Sequence, residues 1–279
     1  MVDQIEIRLL TEDDIPAAMR LKELANWNQT STDWRRLLKL EPEGCFAAVL
    51  DGKVVGTTTT TSYGRTLAWI GMVLVDPSVR RLGIATRLMK RALQYAANRV
   101  DTVKLDATSD GQPVYERLGF SVESRIERWV CDRSGTEENV EQSKVTDDVR
   151  REVIELDRSA FGADRSKLLE KLIDDSSIEP SLVRSSEGSL VGYGLTRVGT
   201  RASYFGPAIV SKRRDAEMLL DRLENGRVYV DWNTTSVADS SVLVERGFSM
   251  ERHLIRMSYG KQSAPTSQNV FAIAGPEVG

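Results

Sequence analysis

Histidine is almost missing: the 279 residues hold one, His253, with two cysteines and eight prolines. A single imidazole in the second half leaves no Ser-His-Asp set, so His253 is expected to be structural or exposed. Cys45 and Cys131 lack metal-ligand spacing, and two reduced thiols are expected rather than a disulfide. No metal site is expected. No Gly-x-x-x-x-Gly-Lys-Ser/Thr run is present, which excludes a Walker-type loop. The longest apolar run, Ala68 to Val75 with Gly71 inside it, is far too short to span a bilayer. Asp3 and Glu6 precede any apolar run, so the start does not read as a secretory signal, and the cytoplasm is the expected compartment. A net charge of −3 excludes nucleic acid as a bulk partner and leans weakly toward cationic substrates. The length allows two domains of ordinary size.

Against these absences, residues 75 to 86 stand out: Val-Asp-Pro-Ser-Val-Arg-Arg-Leu-Gly-Ile-Ala-Thr. An apolar strand ending at Val75 runs into this loop. A helix with the stripe Leu88, Met89, Ala92, Leu93 and Ala96 runs out of it. First-turn amides have no intrahelical partner and the helix dipole adds positive character there, so such a junction suits a phosphate. Gly83 and Ala85 keep the approach free of side chains, and Arg80 and Arg81 add charge. The junction reads as a pyrophosphate cradle. Arg87, Lys90, Arg91 and Arg99 continue along the helix as a solvated face, from which one or two reach toward a nucleotide phosphate.

Ile5, Ile7 and Leu9 alternate with polar residues as in a half-buried strand. Thr11 or Asp14 caps the next helix, with Pro16 in its first turn. Cys45–Leu50 and Val54–Ser62 form a hairpin across Asp51-Gly52. Val103 to Asp106 is a short strand, Pro113 to Leu118 a short helix ended by Gly119, and Ser121 to Val130 a final strand. Residues 134 to 147 are polar and acidic and read as a linker. The expected domains are therefore 1–133 and 148–279.

The second domain repeats the first. Asp51-Gly52-Lys53-Val54-Val55-Gly56 matches Glu187-Gly188-Ser189-Leu190-Val191-Gly192, and Glu116-Arg117-Leu118-Gly119-Phe120 matches Val244-Glu245-Arg246-Gly247-Phe248. Gly71 and Gly206 lie 135 positions apart, whereas Asp106 and Asp231 lie 125 apart, so the second copy is ten residues shorter in between. That interval holds the cradle in the first copy. The second has no Arg-x-x-Gly-x-Ala there, and is expected to keep the sheet and lack the phosphate loop.

The element order with Arg80-x-x-Gly83-x-Ala85, followed by Tyr115-Glu116-Arg117-Leu118-Gly119-Phe120, resembles the GNAT superfamily of N-acetyltransferases. It is similar to the tandem type with a degenerate second domain. The resemblance implies an α/β fold (α+β by some schemes), each domain a mixed, mostly antiparallel twisted sheet flanked by helices. It implies acetyl-CoA as the acetyl donor, with the backbone of Val73, Leu74 and Val75 pairing its pantetheine arm. Arg80, Arg81, Leu82, Gly83, Ile84, Ala85 and Thr86 would hold its pyrophosphate. Trp27, Asn28 and Trp34 lie where such enzymes line the acceptor pocket; core tryptophans with a helix-ending Asn is the other reading. One departure is Thr108, where many relatives carry Asn.

Acetyl transfer needs a neutral amine, a stabilised oxyanion and a proton for the departing thiolate. A backbone N–H near Met72 or Val73 suits the oxyanion. Tyr115 suits the proton, because a phenol pKa of ~10 lies not far above that of a thiol; the alternative is a tyrosine packed on the sheet. At its matching place the second copy has Leu243. Glu43, Asp106 and a backbone-held water are the candidate bases, with structural roles expected for both carboxylates. The expected function is acetyl transfer to a primary amine of a small molecule or a protein, without nucleic acid or membrane, and with a homodimer left open. A non-catalytic acyl-CoA sensor and a transferase for longer acyl chains are the alternatives. The tail after Lys261 turns apolar at Val270 and is expected either to add a strand to the second sheet or to dock on the first domain.

Overall fold

The computed structural model of the protein describes residues 5–134, 145–261 and 267–279. They form two compact units. Unit 1 holds the described chain up to Val122, residues 256–261 and Pro276–Gly279; unit 2 holds the rest. The packed units thus depart from the sequence halves 1–133 and 148–279. Each half sends part of its last strand into the other half's unit, and the chain's last residues return to unit 1. Most of the expected linker, 135–144, lies outside the described residues.

In unit 1, β1 (Glu6–Leu9) leads through a 3-10 turn into α1 (Ile15–Leu24), with Pro16 in its first turn. Thr30 then caps α2 (Ser31–Leu40): its hydroxyl accepts from the Asp33 amide and the Asp33 carboxylate accepts from the Thr30 amide. Next comes the hairpin of β2 (Phe46–Leu50) and β3 (Lys53–Tyr63). Its turn residues Asp51 and Gly52 sit at φ 49° and 73°, the left-handed pair that matches strand twist. After β4 (Leu67–Val75) follow α3 (Ile84–Ala96), β5 (Thr102–Ala107) and α4 (Gln112–Glu116). The sheet order is β1-β2-β3-β4-β5. Every pairing is antiparallel except β4 with β5. Of the expected stripe of α3, Leu88, Met89, Ala92 and Ala96 are buried and Leu93 is half-buried, and Ile84 and Leu88 press on Gly56 of β3.

β6 (Ser121–Arg133) leaves unit 1 after Val122. Unit 2 continues with α5 (Asp147–Phe161), α6 (Ser166–Asp175), β7 (Ser181–Arg184), β8 (Leu190–Arg197) and β9 (Ser203–Ile209). Then come α7 (Arg213–Asp221), β10 (Gly226–Asn233), α8 (Ser241–Val244), β11 (Ser249–Gly260) and β12 (Val270–Ala272). From α5 to β11 this repeats the order of α1 to β6, as the sequence repeat predicts. Residues from Arg256 onward in β11 belong to unit 1 and lie beside β5, where the Thr102 hydroxyl donates to the Lys261 carbonyl at 2.7 Å.

Each unit is pinned by a buried Arg–Asp pair. In unit 1 the Arg256 guanidinium donates twice to Asp106, at 2.9 Å each. In unit 2 Arg128 does the same to Asp231, at 2.8 and 2.6 Å. The aspartates are the repeat-matched pair, and each arginine comes from the strand that ends the repeat in the other sequence half, β11 for Arg256 and β6 for Arg128. A fork of two parallel N–H groups suits a buried carboxylate because it satisfies both oxygens. Among the described residues no helix is long and apolar enough to cross a membrane.

Candidate functional site

β4 and β5 pair only at Leu67–Thr102, Ala68–Val103 and Trp69–Lys104. Both strands then continue without pairing each other, β4 to Val75 and β5 to Ala107. The cradle loop follows the free end of β4, and α4 follows the free end of β5. Parallel strands that part at their carboxyl ends are where open α/β sheets take ligands. The parting begins close to a bulge. Thr57 faces Leu74 but Thr59 faces Gly71, so β4 has an extra residue there, and Met72 lies at φ 50°. The Thr57 hydroxyl donates to the Met72 carbonyl at 2.8 Å and holds the bulge. Gly71, at the edge of this bulge, is a point of close approach for the chain's last residues.

Along β4, main-chain groups alternate between the two strand edges. Asp76 donates its amide to Val55 at 2.8 Å, so Leu74 also faces β3. Val73 and Val75 therefore offer their amides and carbonyls to the open edge. Of the three expected backbone contacts, these two are turned the right way for an added strand.

The loop is anchored at its start. Asp76 accepts from the Ser78 amide and hydroxyl, at 2.9 and 2.7 Å, and from Arg20 at 2.6 Å. The Ser78 hydrogen bonds, then the Arg20 guanidinium, hold the Asp76 carboxyl down at about 2. Arg81 (φ 64°) and Gly83 (φ 76°) turn the chain left-handed twice before α3. The first α3 amide bonded to a carbonyl is that of Arg87, to Gly83 at 3.0 Å. Among the described residues, the amides of Arg81, Leu82, Gly83, Ile84, Ala85 and Thr86 donate to nothing. A side chain at Gly83 would meet open space, so glycine is needed there for its φ. Arg80 and Arg81 are exposed beside it.

Tyr115 stands on α4, buried, its ring 6.1 Å from that of Phe120. Burial pushes its phenol above the ordinary range, so it stays protonated at neutral pH. Of the candidate bases, Asp106 is held by Arg256 and Glu43 is exposed. Trp34 is fully buried, Asn28 is buried and Trp27 half-buried. Cys45 is buried, which pushes its thiol up to about 12 and leaves it unreactive.

Two residues escaped the sequence reading. Gln29 lies in the α1–α2 connection, and its Nε2 donates to Glu277 Oε2 at 2.8 Å. Glu277 belongs to Pro276–Gly279, which crosses unit 1 along β4. The Trp69 indole donates to the Pro276 carbonyl at 3.0 Å and the Tyr63 hydroxyl to the Val278 carbonyl at 2.6 Å. A Cβ on Gly71 would lie 2.5 Å from the Glu277 Cα. A lone acid after an apolar run was the only sequence signal.

The fold and this parted sheet define an acyltransferase-type α/β unit, present twice. The family comparisons agree: the Acetyltransferase (GNAT) family model matches residues 10–120 and an Acetyltransferase (GNAT) domain model matches 153–272. The chain belongs to the GNAT acetyltransferases, as a tandem member. It is 28% identical to an uncharacterized N-acetyltransferase of Bacillus subtilis, YitH, over 98% of each chain. Among solved structures it is similar to a putative acetyltransferase from Pyrococcus horikoshii, with TM-score 0.82, 25% identity, and 99% and 96% of the two chains covered. A GCN5-related N-acetyltransferase from Sphaerobacter thermophilus shares the fold at TM-score 0.67 and 16% identity, over 94% and 98%.

Proposed function

We propose that unit 1 moves an acetyl group from acetyl-CoA to a primary amine by direct attack within a ternary complex. The observation that carries this reading comes from unit 2. There β9 and β10 also pair at only three positions, Ser203–Val228, Tyr204–Tyr229 and Phe205–Val230, and then part. The gap is filled by β12, which pairs with both strands. An extended segment bearing amides therefore completes this sheet where the strands separate. In unit 1 Val73 and Val75 present the same kind of edge, and a pantetheine arm with its two amide groups supplies what the edge needs.

The residues present fit the coenzyme. The unpaired amides of Arg81 to Thr86, with Arg80 and Arg81, would hold the diphosphate. Bound acetyl-CoA supplies the activated thioester. The Met72 bulge turns a main-chain N–H toward the open edge, where it stabilises the oxyanion without reorganisation. Tyr115 releases its phenolic proton to the departing sulfur, and the proton shed by the attacking amine restores the phenol, so that the enzyme ends unchanged.

The test is thiol release from acetyl-CoA against a panel of amines, with calorimetry of acetyl-CoA binding in parallel. Binding with amine-dependent thiol release is expected. Binding without release from any amine supports an acyl-CoA sensor and defeats the transferase mechanism. No binding defeats both.

A further inference from the structure

We propose that Thr57 is the positioning residue for the oxyanion donor of unit 1: its hydroxyl locks the Met72–Val73 peptide so that the Val73 N–H faces the parted edge of β4. This rests on the acetyl-transfer reading above. Strand alternation comes first. The Val55 carbonyl accepts from the Asp76 amide, Thr57 pairs with Leu74 and Thr59 with Gly71. The main chain of these β3 residues therefore faces β4. Thr58 lies between them, opposite both Met72 and Val73, and its main chain faces β2, where it pairs with Phe46. Thr58 thus has no main-chain group to give the bulge.

A side chain holds it instead. The Thr57 hydroxyl donates to the Met72 carbonyl at 2.8 Å, where Thr57 is 0% and Met72 1% exposed. In a trans peptide the C=O and the following N–H point in opposite directions. A Met72 carbonyl turned to Thr57 therefore sets the Val73 N–H away from β3, toward the side that β5 has left. Met72 needs such a latch. Its φ of 50° lies in the left-handed region that a Cβ disfavours. Conformations of this kind persist only where the surroundings over-determine them, and they gather at active sites. Released, Met72 relaxes toward negative φ and the peptides beside it turn with it. Valine would fit a central strand as well as threonine, so strand preference alone does not call for the hydroxyl.

Unit 2 supplies the contrast. Its β8 and β9 carry a bulge of the same kind: Gly194 pairs with Ala208 and Thr196 with Phe205, which leaves Gly206 and Pro207 opposite Leu195. A side chain holds the first bulge carbonyl there too, Arg197 donating to Gly206 at 3.1 Å. The next nitrogen is that of Pro207 and carries no hydrogen. Both bulges are latched, and only the one beside the open edge has an N–H to present.

The experiment compares wild type with Thr57→Val, Thr57→Ser and Val73→Pro. It measures kcat and KM with an amine that wild type acetylates, acetyl-CoA affinity by calorimetry, and Tm. Thr57→Val should lower kcat about 10²-fold, as loss of one oxyanion donor does. Its acetyl-CoA affinity should stay within about threefold, a split that marks an interaction made in the transition state. Its Tm should fall by no more than about 4 °C. Thr57→Ser keeps the hydroxyl and should hold kcat within about fivefold of wild type. Val73→Pro copies the bulge of unit 2 and should lose kcat as Thr57→Val does, which keeps the test open if Thr57→Val fails to fold. A crystal structure of Thr57→Val should show Met72 at negative φ. Unchanged kcat in Thr57→Val or in Val73→Pro, or an equal loss in Thr57→Ser and Thr57→Val, overturns the assignment and leaves the acetyl-transfer reading standing. A wild type that binds acetyl-CoA but acetylates no amine overturns both.

Discussion

The two units are built from one sheet plan and differ most clearly at the gap where their parallel strands part. In unit 2 the gap is closed twice over. β12 occupies it as a strand, and the Ile273 amide donates to the Asp231 carbonyl at 3.1 Å. A side chain on Gly206 would strike the Ile273 carbonyl. The helix start beyond the gap is closed as well, because Asp215 Oδ2 accepts from the amides of Ser211 and Lys212 at 3.1 and 3.2 Å. In unit 1 the strand edge is open and the amides before α3 donate to nothing. An amide group must be satisfied by something. Unit 2 meets the amides of Ser211, Lys212 and Asp215 from within the chain, whereas in unit 1 six successive amides before and into α3 stay unmet among the described residues. The comparison teaches that the second copy keeps the sheet of the first and fills the gap between its parted strands with its own chain.

What the units share should break both equally, and this is the largest expected effect. Arg256→Met and Arg128→Met each leave a buried aspartate without its guanidinium. Each should cost about 3–5 kcal/mol of stability in denaturant titrations. A loss below about 1 kcal/mol in either would end the idea that the two pairs are equivalent.

Where the units differ, effects should divide. Tyr115→Phe should lower kcat by about 10²–10⁴-fold while acetyl-CoA affinity stays within about twofold. Leu243 occupies the matching place in unit 2, and Leu243→Met should leave kcat unchanged. Unchanged turnover in Tyr115→Phe removes the proton-donor role.

Smaller in effect, Gly83→Glu should weaken acetyl-CoA about a hundredfold by calorimetry. It forces a side chain into the left-handed φ and sets an anion against the phosphates. Its counterpart, Asp215→Ala, removes a cap worth about 1 kcal/mol and should leave acetyl-CoA binding untouched. A loss of coenzyme affinity in Asp215→Ala would show that unit 2 also binds it, and the contrast would fall.

Much of this was legible in the chain. Asp51-Gly52 announces its hairpin turn because few residue pairs accept two left-handed conformations in a row. Gly83 and the apolar stripe after it announce a loop running into a buried helix. The ten-residue deficit in the second copy announces the shorter junction there, where α7 starts at Arg213 soon after β9 ends at Ile209. Gln29 and Glu277 were illegible, since 248 positions separate them. β12 was only half legible: its apolar run predicts burial, but three residues show no periodicity that tells a strand from a buried loop. The roles of the tail, given as alternatives, turn out to be sequential: β12 enters the sheet of unit 2, and Pro276–Gly279 lies on unit 1.

The amino-acid order by itself determined the local elements, the doubled plan and the amide cradle, because each depends on conformational preferences and apolar spacing within a few residues. Only the tertiary structure decided which half supplies the arginine to each buried aspartate, which gap is plugged and which segment lies against Gly71. Those depend on where distant segments come to rest, and strand pairing through main-chain groups is nearly blind to side-chain identity. A strand carries the address of its face in its sequence, but not the name of its neighbour.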